Sequence, residues 1–218
     1  MRSMALRNLI LIAALLASGA ARAHPHILVK AKTAILFNAQ GEVTGITHIW
    51  DFDKAFSAFA VQGYDSKHDG RPTRTDLQPL AKINMSSLSY YKFFTSLVLD
   101  GKTLSPGTPT NYFDTFIDDT LEIHFTLNFA KPVAVKGKRF SLRVYDPEYF
   151  AAVSFAKLNP VTLGDGHPDC DVTLHRPGQL APAVAAKLAA IPASQHDVPA
   201  DLFAVTNLLV NSAEVACK

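Results

Sequence analysis

Two segments near the start of the chain, 26–37 and 42–53, carry apolar side chains at every second position. A period of two predicts half-buried β-strands, and residues 38–41 between them are a turn sequence, Asn-Ala-Gln-Gly. We therefore expect a β-hairpin. A loop centred on Ala39 and Gln40 would place Val29 opposite Trp50, so that the two apolar faces coincide.

Further along the chain the pattern predicts more strands and several helices. The clearest strand is 121–129, in which apolar and polar residues alternate without a break. Helices at 54–62 and 77–91 flank a loop at 65–76, and residues 164–178 form a loop rich in Gly, Pro and Asp. The other predicted strands are 94–100, 110–117, 139–145 and 151–155, and the other predicted helices are 181–190 and 200–215.

These elements predict an α+β fold in which β-strands predominate. We expect an antiparallel β-sheet or sandwich, with a helix–loop–helix insertion at 54–91 and helices at the C-terminal end. Residues 24–218 carry no repeat and no low-complexity linker, and this length is enough to bury one core. The sequence therefore predicts a single domain over 24–218.

The first 23 residues have the composition of a cleavable signal peptide. Arg2 and Arg7 precede a short apolar run, and Ala21-Arg22-Ala23 is a small-residue cleavage sequence. The apolar run is shorter than the roughly 20 residues needed to cross a bilayer, so we expect cleavage and not a membrane anchor. The sequence therefore predicts a periplasmic protein that does not insert into the membrane after cleavage.

Removal of the signal peptide changes the charge of the protein. The precursor has 21 basic and 19 acidic residues, and three of the basic residues are arginines of the signal peptide. The mature chain therefore has 18 basic residues against the same 19 acidic ones. Proteins that bind nucleic acid show a basic excess, so we expect no nucleic-acid partner.

The chain has two cysteines, Cys170 and Cys217. In an oxidising compartment an even number of cysteines indicates a disulfide. Closing a segment of 47 residues would stabilise the fold by about 4 kcal/mol in the chain-entropy model. The alternative is a pair of free thiols that bind a metal.

Cleavage after Ala23 would leave His24-Pro25-His26 at the new N-terminus. An N-terminal histidine offers its α-amine and its imidazole together, and these donors suit Zn, Ni or Cu. In the predicted hairpin Asp53 lies opposite His26, and Asp51 lies on the same outer face. We expect a transition-metal site formed by His24, His26, Asp51 and Asp53. The alternative is an exposed strand end with ordinary charges.

Residues 65–76 have the frame of an EF-hand calcium loop between two helices. Asp65, Asp69 and Asp76 stand at its first, fifth and twelfth positions. Lys67 occupies the third position, which needs an acid or an amide, so we interpret the loop as degenerate and do not expect calcium to bind. 

A second cluster of possible metal ligands lies beside Cys170. Asp165, His167 and Asp169 alternate along a glycine-containing loop, and imidazole with carboxylates is a reasonable ligand set for a transition metal. The alternative is an ordinary turn next to a disulfide.

With these motifs in view, the chain resembles the bacterial domain-of-unknown-function family 1007. Members of that family are labelled as the periplasmic component of an uncharacterised ABC-type transport system. Their genes often lie beside those of nickel/cobalt-efflux-type membrane proteins or zinc-regulated transporters, which implies transition-metal handling and a membrane transporter as partner. The resemblance rests on residues 23–26, 50–53, 65–76, 100–102, 121–127 and 145–150.

Three hypotheses about function follow. The first is a periplasmic accessory protein that binds a transition metal for a membrane transport system and is not an enzyme. The second is a copper-dependent oxidative enzyme that uses the N-terminal histidine. The third is a structural or interaction module that docks on a membrane transporter and binds no metal.

Overall fold

The computed structural model describes residues 25–178, 180–192, 195 and 198–218. In these ranges the chain forms two β-sheets packed face to face, with helices in the loop segments and near the C-terminal end. This confirms the strand-led α+β class predicted from the sequence. The strands are β1 Ile27–Phe37, β2 Glu42–Phe52, β3 Thr95–Leu99, β4 Lys102–Leu104, β5 Thr108–Ile117, β6 Thr120–Ala134, β7 Arg139–Val144, β8 Ala151–Phe155, β9 Val161–Leu163, β10 Cys170–His175 and β11 Asn211–Cys217.

Four α-helices accompany the strands in the described ranges. They are α1 Lys54–Ala60, α2 Gln78–Tyr90, α3 Pro182–Ala189 and α4 Ala200–Thr206. None of them is long and apolar enough to cross a membrane. The helices α1 and α2 lie within the helical segments predicted at 54–62 and 77–91.

The first sheet has the order β5-β6-β2-β1, and both β8 and β9 pair with the outer edge of β1. Its central pairs are antiparallel, whereas β8 and β9 run parallel to β1. The second sheet has the order β10-β11-β7-β3-β4 and is antiparallel throughout. The sheets are mainly antiparallel, as predicted.

The core lies between the inner faces of the two sheets. Alternate residues of the central strands, such as β1, β2, β7 and β11, point inward, which buries one face of each sheet and leaves the other face mainly polar. The largest fully buried side chains include Ile35, Ile46, Trp50, Leu97, Phe125, Phe140 and Leu142.

His48 joins the two sheets inside this core. Its ring is fully buried, with Nδ1 3.1 Å from the Thr33 hydroxyl and Nε2 3.2 Å from the Thr95 hydroxyl. The Thr95 hydroxyl donates its single proton to the carbonyl of Phe93 at 2.7 Å, so it accepts from Nε2–H of His48. Nδ1 therefore accepts from Thr33, and burial lowers the pKa of His48 to about 3. The histidine is a neutral core residue.

The β1–β2 hairpin forms as predicted but in a different register. Val29 lies opposite Phe52, and Ala31 lies opposite Trp50. The pairing expected from the sequence was therefore wrong by two residues. A bulge at Phe37 and the left-handed Gly41 extend the turn toward β2. A shift of two keeps the same residues on the inner face, because side chains alternate with a period of two.

The C-terminal prediction needs two corrections. Residues 200–215 are not one helix: α4 ends at Thr206, and β11 follows as an interior strand of the second sheet. The predicted loop at 164–178 contains β10, which pairs with β11. Alanines favour helix in isolation, but here pairing with β7 and β10 decides the structure. The buried alternate residues of β11 are Asn211, Ala213, Val215 and Cys217.

Cys170 and Cys217 form the predicted disulfide. They lie directly opposite each other at the ends of β10 and β11. Both cysteines are consumed by this bond, so the alternative of free thiols that bind a metal is wrong.

Between α2 and β3 the chain makes a left-handed turn. Lys92, Phe93 and Phe94 have φ values of 51°, 56° and 49°. This conformation costs about 1–2 kcal/mol per residue for side chains other than glycine. Contacts elsewhere in the fold must therefore stabilise the turn.

Candidate metal site at the start of strand β1

Two of the predicted ligands, His26 and Asp53, line the same groove. The groove has a volume of about 400 Å³ and lies between the start of β1 and helix α3. Tyr149 also lines it, and α3 supplies an apolar wall. The other lining residues are Pro25, Leu28, Leu180, Ala185, Leu188 and Ala189.

Asp53 is held in place by backbone hydrogen bonds. It is the N-cap of α1, and its Oδ1 accepts from the N–H of Phe56 at 3.0 Å. Its Oδ2 accepts from the N–H of Leu28 in β1 at 2.9 Å. Each carboxylate oxygen has two acceptor sites, so both oxygens retain a lone pair for a further partner. The carboxylate is therefore oriented by the fold and still able to bind a cation.

His26 is oriented by the chain that precedes β8. Its backbone N–H donates to the carbonyl of Phe150 at 2.9 Å, and the two ring centroids are 4.6 Å apart. Outer partners that fix the ring of a ligating histidine strengthen metal binding. The position of the imidazole is thus set by packing against Phe150.

Tyr149 is a lining residue that the sequence reasoning did not single out. Its φ is 54°, its N–H donates to the carbonyl of Asp146, and burial raises the pKa of its hydroxyl. Asp146 closes this turn, because its carboxylate accepts from the N–H groups of Glu148 and Ala151. The only indication in the sequence was the density of aromatic and acidic residues at 145–150.

Asp51 lies outside this groove, on the outer face of the first sheet. It is opposite Lys30 on β1 and opposite Glu122 on β6. Burial raises the pKa of Asp51, and the hydrogen bond and charge of Glu122 raise it further, while Lys32 and Lys30 lower it. The hairpin expected from the sequence put Asp51 opposite Leu28. In the observed register Asp51 lies two residues further along β1, opposite Lys30.

His24 lies outside the described residues. Of the other three predicted ligands, His26 and Asp53 line the same groove, and Asp51 lies apart from them. Over residues 25–218, as far as they are described, no group of three or more His, Cys, Asp or Glu side chains is close enough to hold a metal ion.

The three residues near Cys170 do not converge. Nδ1 of His167 lies 2.6 Å from the carbonyl of Pro168, and its ring packs against Phe37. The carboxylate of Asp169 pairs with the Lys218 ammonium at 3.4 Å. Asp165 is exposed to solvent. The described geometry favours a turn beside the disulfide over a second metal site.

The carboxylates of the calcium-like loop bond within the loop. Asp65 accepts from the N–H of Gly70, and Asp69 accepts from the N–H of Arg71. Asp76 accepts from the hydroxyls of Ser66 and Thr73, and these hydrogen bonds lower its pKa to about 2. Each acid therefore stabilises a local turn.

Comparison with known proteins places the chain in a family. An uncharacterised protein of Haemophilus influenzae is 26% identical over 157 residues, which cover 71% of this chain and 74% of that protein. A family model described as a protein of unknown function, DUF1007, matches residues 9–217. The match spans nearly the whole chain, and the protein therefore belongs to the DUF1007 family.

Proposed function

We propose that this protein binds a transition-metal ion outside the cytoplasm and serves as an accessory protein of a membrane metal transporter. The ion is Zn, Ni or Cu, and it is cargo to be delivered and not a catalytic cofactor. The observation that carries the proposal is the common groove of His26 and Asp53.

The donor atoms of this groove suit such an ion. One imidazole and one carboxylate are mixed nitrogen and oxygen ligands, which favour Zn, Ni and Cu over calcium or magnesium. A complete site needs more donors, and His24 is two residues from His26 in the chain. After cleavage behind Ala23, His24 would add its imidazole and its α-amine, whose pKa near 8 lets a metal displace the proton at neutral pH.

The disulfide supports the proposed location. Structural disulfides are typical of oxidising compartments such as the periplasm, and Cys170 and Cys217 are paired. The signal-peptide composition of residues 1–23 and the transport-linked neighbourhood of similar family members support export and a transporter partner.

Equilibrium dialysis tests the proposal. The mature chain beginning at His24 is dialysed against Zn, Ni and Cu in turn, beside a variant with one added glycine before His24. We expect one tightly bound ion per chain. The added residue removes the α-amine from the chelate and should weaken binding about tenfold or more.

Two substitutions test the groove itself. His26→Gln removes the imidazole. Asp53→Ser removes the carboxylate but keeps a side chain that caps α1 well, so the helix remains stable. Both substitutions should lower the affinity for the metal ion. The matched control substitutions His175→Gln and Asp119→Ser, at exposed positions, should not. Equal affinity in all variants would refute the proposed ligands.

A further inference from the structure

A second groove lies at the C-terminal end of α2, beside the edge strand β4. It has a volume of about 730 Å³ and shares no lining residue with the groove of His26. Its walls are mainly aromatic and hydroxyl-bearing side chains. The aromatic ones are Tyr90, Tyr91, Phe93, Phe94 and Tyr145.

The left-handed turn Lys92–Phe94 forms one wall of this second groove. Three consecutive residues other than glycine with positive φ are uncommon. Strained backbone of this kind persists only where surrounding structure holds it, and it is concentrated at binding sites. The turn therefore marks this groove as a candidate binding site.

Buried contacts hold the turn in its shape. The Phe93 carbonyl accepts from Thr95, whose hydroxyl is bonded to His48. The ring of Phe94 stacks on Trp50 with centroids 5.9 Å apart, and the Phe94 carbonyl accepts from the N–H of Tyr145. The groove is thus formed before any ligand arrives, which lowers the entropy cost of binding.

The exposure and charge of the lining indicate what binds. Tyr90 is 83% exposed at the rim, and an exposed tyrosine beside a preformed groove is typical of a protein interface. Among the described lining residues Lys92 is the one charged side chain, and no carboxylate is present. We infer that this groove docks an extended, acidic segment of a partner polypeptide.

A phage-displayed library of random nonapeptides, panned on the mature chain, tests this inference. We expect the selected peptides to be enriched in Asp and Glu over the unselected library. A fluorescent synthetic copy of the best peptide should bind the unaltered chain about tenfold more tightly than it binds Lys92→Glu or Tyr90→Ala. Neither variant touches His26 or Asp53, so the result is independent of metal binding.

Two matched controls make the test specific. Phe59→Ala removes another exposed aromatic ring, and Lys157→Glu reverses another exposed charge; both should bind the peptide normally. The inference is overturned if no peptide is enriched, if the selected peptides lack an acidic excess, or if the controls lose as much affinity as the groove variants. A Tyr90-dependent dimer without peptide enrichment would also overturn it and assign the groove to a second copy.

Discussion

Replacing Asp114 by asparagine should remove a large part of the pH dependence of the free energy of unfolding. Asp114 lies on β5 and is fully buried, and its Oδ2 accepts from the side-chain amide of Asn84 on α2 at 2.9 Å. Its Oδ1 is buried with no hydrogen-bond partner among the described residues. Burial raises the pKa of Asp114 to about 7, although the hydrogen bond from Asn84 lowers it.

The sign and size of the effect follow from this pKa. Well below pH 4 the carboxyl group is protonated in both the folded and the unfolded chain, so it carries no penalty. Between about pH 4 and pH 7 the unfolded chain loses the proton and the folded chain keeps it, so stability falls as the pH rises. A pKa of about 7 in place of 3.8 corresponds to roughly 4 kcal/mol at 1.36 kcal/mol per pH unit.

Urea unfolding of the unaltered chain and of Asp114→Asn, from pH 3.5 to pH 8, measures this effect. The free energy of unfolding of the variant relative to the unaltered chain should rise by about 4 kcal/mol over that range. Other titrating groups are common to both proteins and cancel in the difference. Asp118→Asn, at the exposed β5–β6 turn, should show no such rise. Parallel pH profiles for the Asp114 variant and the unaltered chain would refute the reasoning.

Three further predictions concern the fold. Replacing both Cys170 and Cys217 by alanine should lower the free energy of unfolding by about 4 kcal/mol, measured with urea under oxidising conditions. His48→Leu should remove a loss of stability as the pH falls from about 6 to about 3, because the pKa of the folded histidine is lowered to about 3; a thermal-melt series in acid would show it. Trp50→Ala should destabilise the core by about 3–5 kcal/mol in urea unfolding.

The sequence predicted which hairpin faces are buried but not which residues are opposed. Alternation places residues on a face, and a shift of two leaves that assignment unchanged. The register depended on the turn, where the side chain of Asn38 accepts from the N–H groups of Gln40 and Glu42. The amino-acid composition of the turn did not show these hydrogen bonds. The predicted register was therefore wrong, and Asp51 was placed opposite Leu28.

The end of the chain was harder to predict because it depends on distant partners. Strand β11 has seven residues and is stabilised by pairing with β7 and β10. Its alternation of Ala213, Val215 and Cys217 with polar or small residues was visible, but the helix propensity of the preceding residues outweighed it. The disulfide was the one long-range contact in this region that the sequence could predict.

The candidate metal groove was only partly predictable. The local motifs around His26 and Asp53 directed attention to the start of β1, and both residues line the groove. Tyr149 and the α3 wall come from segments more than 90 residues away in the chain. No local pattern could bring them to the same place.

The central claim is tested most directly by anomalous diffraction from crystals of the mature chain grown with zinc, nickel or copper in turn. We expect one strong metal peak in the groove for at least one of the three ions, about 2.0–2.1 Å from an imidazole nitrogen of His26 if the ion is zinc, and within bonding distance of a carboxylate oxygen of Asp53. A groove that stays empty at saturating concentrations of all three ions, or peaks that contact neither residue, would contradict it.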